Sequence, residues 1–315
     1  VSTKSYVGLS CTKTSIALKK IYLSDAGPKV SQAIYGFWRW SKDAEVSESN
    51  MERIVNLCFE LGINGFDHAD HYGHFECESL FGTILKNSAI KREDVVLFTK
   101  GGYCLPKEGK NNFSISHHNT SAAHLSKTVE QSLKNLRTDY IDIFLLDGLD
   151  PISDIEETAA ALERLKNSGK IRHIGVSGFT VFQHQLLANM LRIPIVTNHV
   201  NLNVLNTLAL DNGQIDYSRQ KFMHAIAMEP LAGGHIENGT DLQAKRVRAT
   251  LENLSNKYDA NIETLAVAWI NKLGVIPLIG SLEATRVRNI AQSFSIELEH
   301  EDWYRIYEAG KVWPD

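Results

Sequence analysis

The sequence predicts a (β/α)8 barrel, an α/β fold in which eight parallel strands close on themselves inside a ring of helices. Three observations point there. Short apolar runs alternate with amphipathic stretches along the chain, the pattern of strands joined by helical crossovers. Eight such runs follow a first hairpin-like segment. The rival architecture, an open doubly wound sheet, usually carries G-x-G-x-x-G after its first strand, and no such motif occurs.

Taken in order, residues 14 to 23 read as a strand and Asp25-Ala26-Gly27-Pro28 as the turn after it. Residues 1 to 30 are therefore expected to form an N-terminal hairpin that caps the barrel. The barrel strands are expected near 32 to 38, 63 to 67, 95 to 100, 140 to 146, 172 to 177, 194 to 198, 222 to 228 and 275 to 280. Leu125, Val129, Leu133 and Leu136 mark one helical face, with Ser121 or Thr120 as its N-cap. Ile155, Ala159, Leu162 and Leu165 mark another, capped by Asp154 and stopped by Gly169. Leu251, Leu254 and Tyr258 belong to a helix over 242 to 258, and Leu265, Val267, Ala268 and Ile270 to a more buried one. A last helix from Asp302 to Ala309 gives the chain a C-terminal helical segment. The insert at 101 to 120, rich in Gly, Lys, Asn and His, follows the third barrel strand and falls on the functional face of such a barrel. With no linker, repeat or low-complexity stretch, residues 1 to 315 are expected to be one domain.

The bulk properties fit. Of 315 residues, 43% are hydrophobic and 22% charged, the balance of a soluble globular protein. Asp and Glu number 37 against 33 Lys and Arg, so nothing suggests a nucleic-acid surface. No apolar run approaches the roughly 18 residues needed to span a membrane, and no signal peptide is visible. Cys11, Cys58, Cys77 and Cys104 form no C-x-x-C pair and no dense framework, so reduced thiols and a cytoplasmic location are expected. The expected partner is a small-molecule substrate, on a monomer or a weak homo-oligomer.

Barrels of this kind carry their chemistry at the C-terminal ends of the strands. Read in order, those ends are Trp38, Asp67, Lys100, Asp147, Ser177, His199, Glu229 and Ser281. Tyr72 follows Asp67 by a short loop that can return its phenol to the mouth. Taken alone, Asp67, Lys100 and Tyr72 read first as a structural ion pair and a surface phenol. His68, His71 and His74 recur every third residue with Glu76 and Cys77 behind them, but no closed set of four ligands forms and no metal is expected.

Order and spacing add more. The block Gly62-Ile63-Asn64-Gly65-Phe66-Asp67-His68-Ala69-Asp70-His71-Tyr72-Gly73 is followed by Glu78-Ser79-Leu80-Phe81-Gly82, then Leu97-Phe98-Thr99-Lys100. Next come Ser132-Leu133-Lys134-Asn135-Leu136 with Asp139-Tyr140-Ile141-Asp142, Ile171-Arg172-His173-Ile174-Gly175-Val176-Ser177, and Pro230-Leu231-Ala232-Gly233-Gly234. From about residue 30 to 310 the chain resembles the aldo-keto reductases, nearest the bacterial branch with a short N-terminal hairpin. The resemblance implies hydride transfer from NADPH to a carbonyl carbon, with Tyr72 giving a proton to oxygen. A phenol is a poor acid at neutral pH; Lys100 would lower its pKa and Asp67 would hold Lys100.

Several positions depart from the family. Asp147 stands where a histidine usually orients the substrate carbonyl. An ionised carboxylate there cannot donate to oxygen and would raise the pKa of Tyr72; a protonated one could donate. Other family members carry glutamate there, with reduction of a carbon–carbon double bond, or asparagine, in potassium-channel β subunits. In the nicotinamide pocket, Ser177 is followed by Gly178 instead of asparagine. His199 replaces glutamine, and Met228 stands for the stacking aromatic. Trp38 lies at the same mouth. Ser281 and Arg286 match the family's serine and arginine for the 2′-phosphate of NADPH, although Gly280 replaces its lysine. Pro230 is expected at the cofactor, and the loop Leu231-Ala232-Gly233-Gly234 after it would lie over the pyrophosphate, with Leu231 and Gly233 in contact. Three functions follow: an NADPH-dependent reductase of a carbonyl or activated double bond; a nicotinamide-binding sensor or partner subunit with little turnover; or a lyase or isomerase on a barrel that has lost NADPH.

Overall fold

The computed structural model describes residues 17–40, 47–106 and 113–311. Its strands are β1 (Lys20–Tyr22), β2 (Lys29–Ser31), β3 (Ile34–Gly36), β4 (Gly65–Asp67), β5 (Val96–Gly101), β6 (Tyr103–Cys104), β7 (His117–His118), β8 (Ile141–Asp147), β9 (Ile171–Ser177), β10 (Ile195–Asn201), β11 (Ile226–Met228) and β12 (Ile276–Ile279). Eight of them, β3-β4-β5-β8-β9-β10-β11-β12, close into a barrel in which every neighbouring pair is parallel. The predicted (β/α)8 architecture is the one observed.

Helix ends follow local capping chemistry. Ser121, not Thr120, caps the helix Ala122–Leu136 by accepting from the His124 N–H. Thr120 is buried instead, and its carbonyl accepts from the Thr158 hydroxyl. Asp154 accepts from the N–H groups of Glu156 and Glu157 at the start of Ile155–Asn167, and Arg164 and Lys166 face the negative end of its dipole. Asp241 does the same for Leu242–Tyr258.

Two strand expectations need correction. Residues 1–16, and with them the start of the run from 14 to 23, lie outside the described residues; of its described part, 17–23, only Lys20–Tyr22 is a strand, antiparallel to Lys29–Ser31. Leu23 and Val30 of this hairpin are fully buried and pack with Ile34, Val96, Ile143 and Ile226 of the barrel interior. The run from 222 to 228 is a strand only over Ile226–Met228. Phe222 has φ +52, Met223 bridges to Ser24, and the His224 N–H donates to the Leu23 carbonyl. The first half of that run thus ties the hairpin to the barrel floor.

The floor has a second tie. Arg92 donates to Asp142, to the carbonyls of Val95 and Tyr140, and to the Thr138 hydroxyl. Its guanidinium lies 4.0 Å from the Tyr140 ring centroid, and that of Arg172 lies 3.5 Å from it. Asp142 also accepts from the Leu97 N–H, which joins β5 to β8 at their N-terminal ends.

Candidate active site

The chemistry-bearing cluster is built by two neighbouring strands. Asp67 ends β4, and Lys100 lies on β5, whose six residues are all buried. The Lys100 ammonium donates to Asp67 Oδ2, to the His68 carbonyl at 3.0 Å and to the Tyr72 hydroxyl at 3.1 Å. An ammonium has three N–H groups and no acceptor. All three are therefore used, and the Tyr72 oxygen is an acceptor from Lys100, leaving its own O–H to point elsewhere.

Burial pushes the Asp67 carboxyl above its ordinary range, and Lys100 pulls it back. Burial alone would lower Lys100, but Asp67, Tyr72 and Asp147 reverse this and hold it above its ordinary value. For Tyr72 burial is the largest influence, pushing the phenol up to about 12. Lys100 opposes that rise, while Asp67 and Asp147 add to it. Glu78, fully buried, accepts from the Thr99 hydroxyl and the Asn135 amide, and so fixes β5 against two helices.

Asp147, at the end of β8, is half-buried. Ser177 ends β9 and pairs in register with His199 on β10. The strand β10 runs two residues past His199, to Asn201, so the His199 ring is fully buried. Its Nδ1 lies 3.9 Å from Asp67 Oδ1. Among the described residues, neither of its nitrogens nor Asp67 Oδ1 has a hydrogen-bond partner. Burial and the charge of Lys100 keep His199 neutral, its pKa well below the usual value. Ser177 at the end of β9 and the open space over Gly178 leave room for an amide group such as a nicotinamide carboxamide, with the His199 ring buried beneath them.

Trp38, Tyr72, Asn201, Met228, Glu229 and Leu278 line a cavity of about 300 Å³ at the mouth. Trp38 and Glu229 also border a second cleft, which brings together Pro230, Leu231, Gly233, Ser281 and Arg286. Arg286 is already engaged there, 2.5 Å from Glu263 and 3.3 Å from Glu237. The glycine at 280 has a steric reason: a Cβ on it would sit 2.4 Å from the Trp38 ring. The indole occupies the space that a side chain there would need.

The histidine triplet disperses. His68 is fully buried and stacks on Phe37 at 4.3 Å, His71 contacts Asp70 at 3.2 Å, and His74 is exposed. Sequence reasoning missed Asn201 and Arg39 as lining residues; the alternation through 195–201 was the signal for Asn201, and Arg39 offered none. It also missed the small hairpin β6–β7, where Tyr103 pairs with His118.

Comparison with known proteins decides the family. A model described as the aldo/keto reductase family matches residues 33–311. The chain belongs to this family. It is 35% identical, over 89% of its length and 94% of the relative's, to an uncharacterized oxidoreductase, YcsN, of Bacillus subtilis. It is 30% identical to a 6-dehydroglucose reductase of Agrobacterium fabrum, over 92% of this chain and 97% of the relative. It is 32% identical to the oxidoreductase YdhF of Escherichia coli, over 93% and 98%. The crystal structure of the thermostable aldo-keto reductase Tm1743 superposes with a TM-score of 0.80 at 21% identity, over 93% of this chain and all of that one, a likeness of fold. This aldo-keto reductase is thus an oxidoreductase, of a family that uses a nicotinamide cofactor and small-molecule substrates. Among the described residues no helix is long and apolar enough to cross a membrane.

Proposed function

We propose that this protein is an NADPH-dependent reductase of a carbonyl or activated double bond. Tyr72 is its proton donor, Lys100 and Asp67 tune that donor, and Asp147 shapes acidity and substrate choice. The observation that carries the reading is the fully committed Lys100 ammonium. Because Tyr72 accepts from it, the phenol proton is free to go to a substrate oxygen. Burial keeps the phenol protonated at neutral pH, so the acid is always loaded, and the ammonium stabilises the phenolate left behind. Asp67 holds the ammonium in place from below. Bound NADPH would supply the hydride. Ser177 would hold its carboxamide, with the buried His199 packed beneath it, Met228 and Trp38 would border the ring, and Pro230, Leu231 and Gly233 would cover the pyrophosphate. Ser281 and Arg286 would take the 2′-phosphate, since a guanidinium has five N–H donors and two carboxylates do not exhaust them. The free, buried thiols of Cys58, Cys77 and Cys104 suit a reducing cytoplasm.

Titration of NADPH by its fluorescence tests the cofactor, with binding expected at low micromolar concentration. No binding at high micromolar NADPH overturns the proposal. Arg286→Met is expected to weaken NADPH by about tenfold and NADH little, because a charge-assisted phosphate contact is lost. One arrangement favours a second reading, a nicotinamide-binding sensor with little turnover. The carbonyl-orienting histidine is absent, and Gly178 leaves the carboxamide side open. NADPH that binds but is not oxidised by a panel of aldehydes, ketones and enones would select it.

A further inference from the structure

The ring of helices around the barrel has one member unlike the rest. Among the described helices of eight or more residues, Val181–Met190 alone contains no Asp, Glu, Lys or Arg. Its start is well made: Thr180 accepts from the Gln183 N–H, and the Gln183 side chain accepts from the Thr180 N–H. Its inner face buries His184 and Leu187, and Leu187 packs with Ile174, Val176 and Ile195 of the barrel wall. Its outer face is Phe182, Gln185, Leu186, Asn189 and Met190, all exposed. Phe182 is 81% exposed, Leu186 43% and Met190 39%. These three stand at i, i+4 and i+8, one ridge along the helix. A helix that is apolar on both faces belongs between two packed surfaces, and the barrel supplies one of them.

The flanking helices identify the second surface. Ile155–Asn167 packs on one side, and Gln214–Gln220 on the other, where the Tyr217 ring meets His184 at 5.0 Å. The three helices follow β8, β9 and β10, so all run from the mouth to the floor. Ile155–Asn167 has Glu156 and Glu157 in its first turn and Arg164 and Lys166 in its last. Gln214–Gln220 has Asp216 in its first turn and Arg219 in its last. The patch is thus a neutral apolar ridge between flanks that are acidic toward the mouth and basic toward the floor. Such a surface complements itself when turned end over end. We propose that it pairs with the same face of a second copy, across a twofold axis that passes near Leu186 and sets the two Val181–Met190 helices antiparallel. Each flanking helix then lies over its own counterpart, acidic end on basic end. A parallel pairing would instead set Glu156 and Glu157 against Asp216, acid on acid. Three helices about 10 Å apart and about 15–20 Å long offer about 500 Å² per copy, a small interface with a micromolar Kd. The two mouths point in opposite directions, so each copy keeps its own site open.

Sedimentation equilibrium of the full chain tests this, with a monomer–dimer Kd of about 10 µM expected. Phe182→Lys and, separately, Met190→Glu change exposed side chains and should leave the circular dichroism spectrum intact. Each should raise Kd at least about tenfold, because a charge is set against an apolar ridge. Glu157→Lys should raise it about three- to fivefold, and Arg164→Glu added to it should restore the affinity. A short bismaleimide reads the direction of pairing, in chains that also carry Cys11→Ser; Cys58, Cys77 and Cys104 are buried. Leu186→Cys, near the axis, should link to its own copy. Phe182→Cys chains mixed with Met190→Cys chains should link to each other in preference to themselves. A chain that stays monomeric to about twenty times the expected Kd overturns the interface. So does a dimer whose Kd neither Phe182→Lys nor Met190→Glu changes, since its contact then lies elsewhere. Phe182→Cys linked to Phe182→Cys in preference to Met190→Cys overturns the antiparallel pairing.

Discussion

On β4 and β5 the barrel mouth is dry and tightly paired. Lys100 is spent on Asp67, the His68 carbonyl and Tyr72. From β8 to β11 the same rim is open and unevenly satisfied. Asp147 is half-buried, Gly178 faces empty space, and His199 has no hydrogen-bond partner among the described residues. The first side is over-determined: each group there has one partner it cannot lose cheaply. The second tolerates change at Asp147, which is half-buried, and at Gly178, where nothing lies within 4 Å of an added Cβ. The difference explains how one half of a reaction centre stays within its family pattern while the other departs from it.

The sharpest way to break the comparison is Lys100→Met. It should abolish detectable reduction. It should also cost about 3–5 kcal/mol of stability, because Asp67 is left as an uncompensated buried charge. Urea unfolding measures the second effect. The double variant Lys100→Met/Asp67→Leu should recover most of the stability and none of the activity. A Lys100→Met protein of unchanged stability would show that the dry side is not over-determined. Next in size is Asp147→His. Returning a neutral donor should raise simple aldehyde reduction by about tenfold in kcat/KM. An unchanged rate would move the block to the open pocket around Gly178 and Met228. Smallest is Gly178→Asn. Its φ of +72 is one that asparagine tolerates, and nothing lies within 4 Å of an added Cβ. NADPH should bind a few-fold tighter with no loss of stability, and a weaker Kd would mean that the carboxamide lies elsewhere.

Much of this was legible in the chain. Asp154 and Ser121 mark helix starts because their side chains bond the next turn, a local event. The Asp67, Tyr72 and Lys100 types, in their order, pointed to one centre because each ends or follows a strand. What could not be read depends on contacts between distant segments. The strand at 222 to 228 was too long because its first half bonds a hairpin that periodicity cannot see. His199 read as a strand end, but β10 continues to Asn201, which turns the imidazole into the interior. Gly280 looked like a lost lysine until Trp38 filled its place. His118 sat in an insert whose path no local rule describes.

The Arg92 clamp has a consequence for how such a protein changes over generations. It locks β5 to β8 at the end of the barrel away from the mouth, using only groups that no substrate reaches. Mutations at Asp147, at the other end of that same strand, are therefore not screened by the clamp. Selection can sample new specificities at the rim while inheriting an unchanged floor.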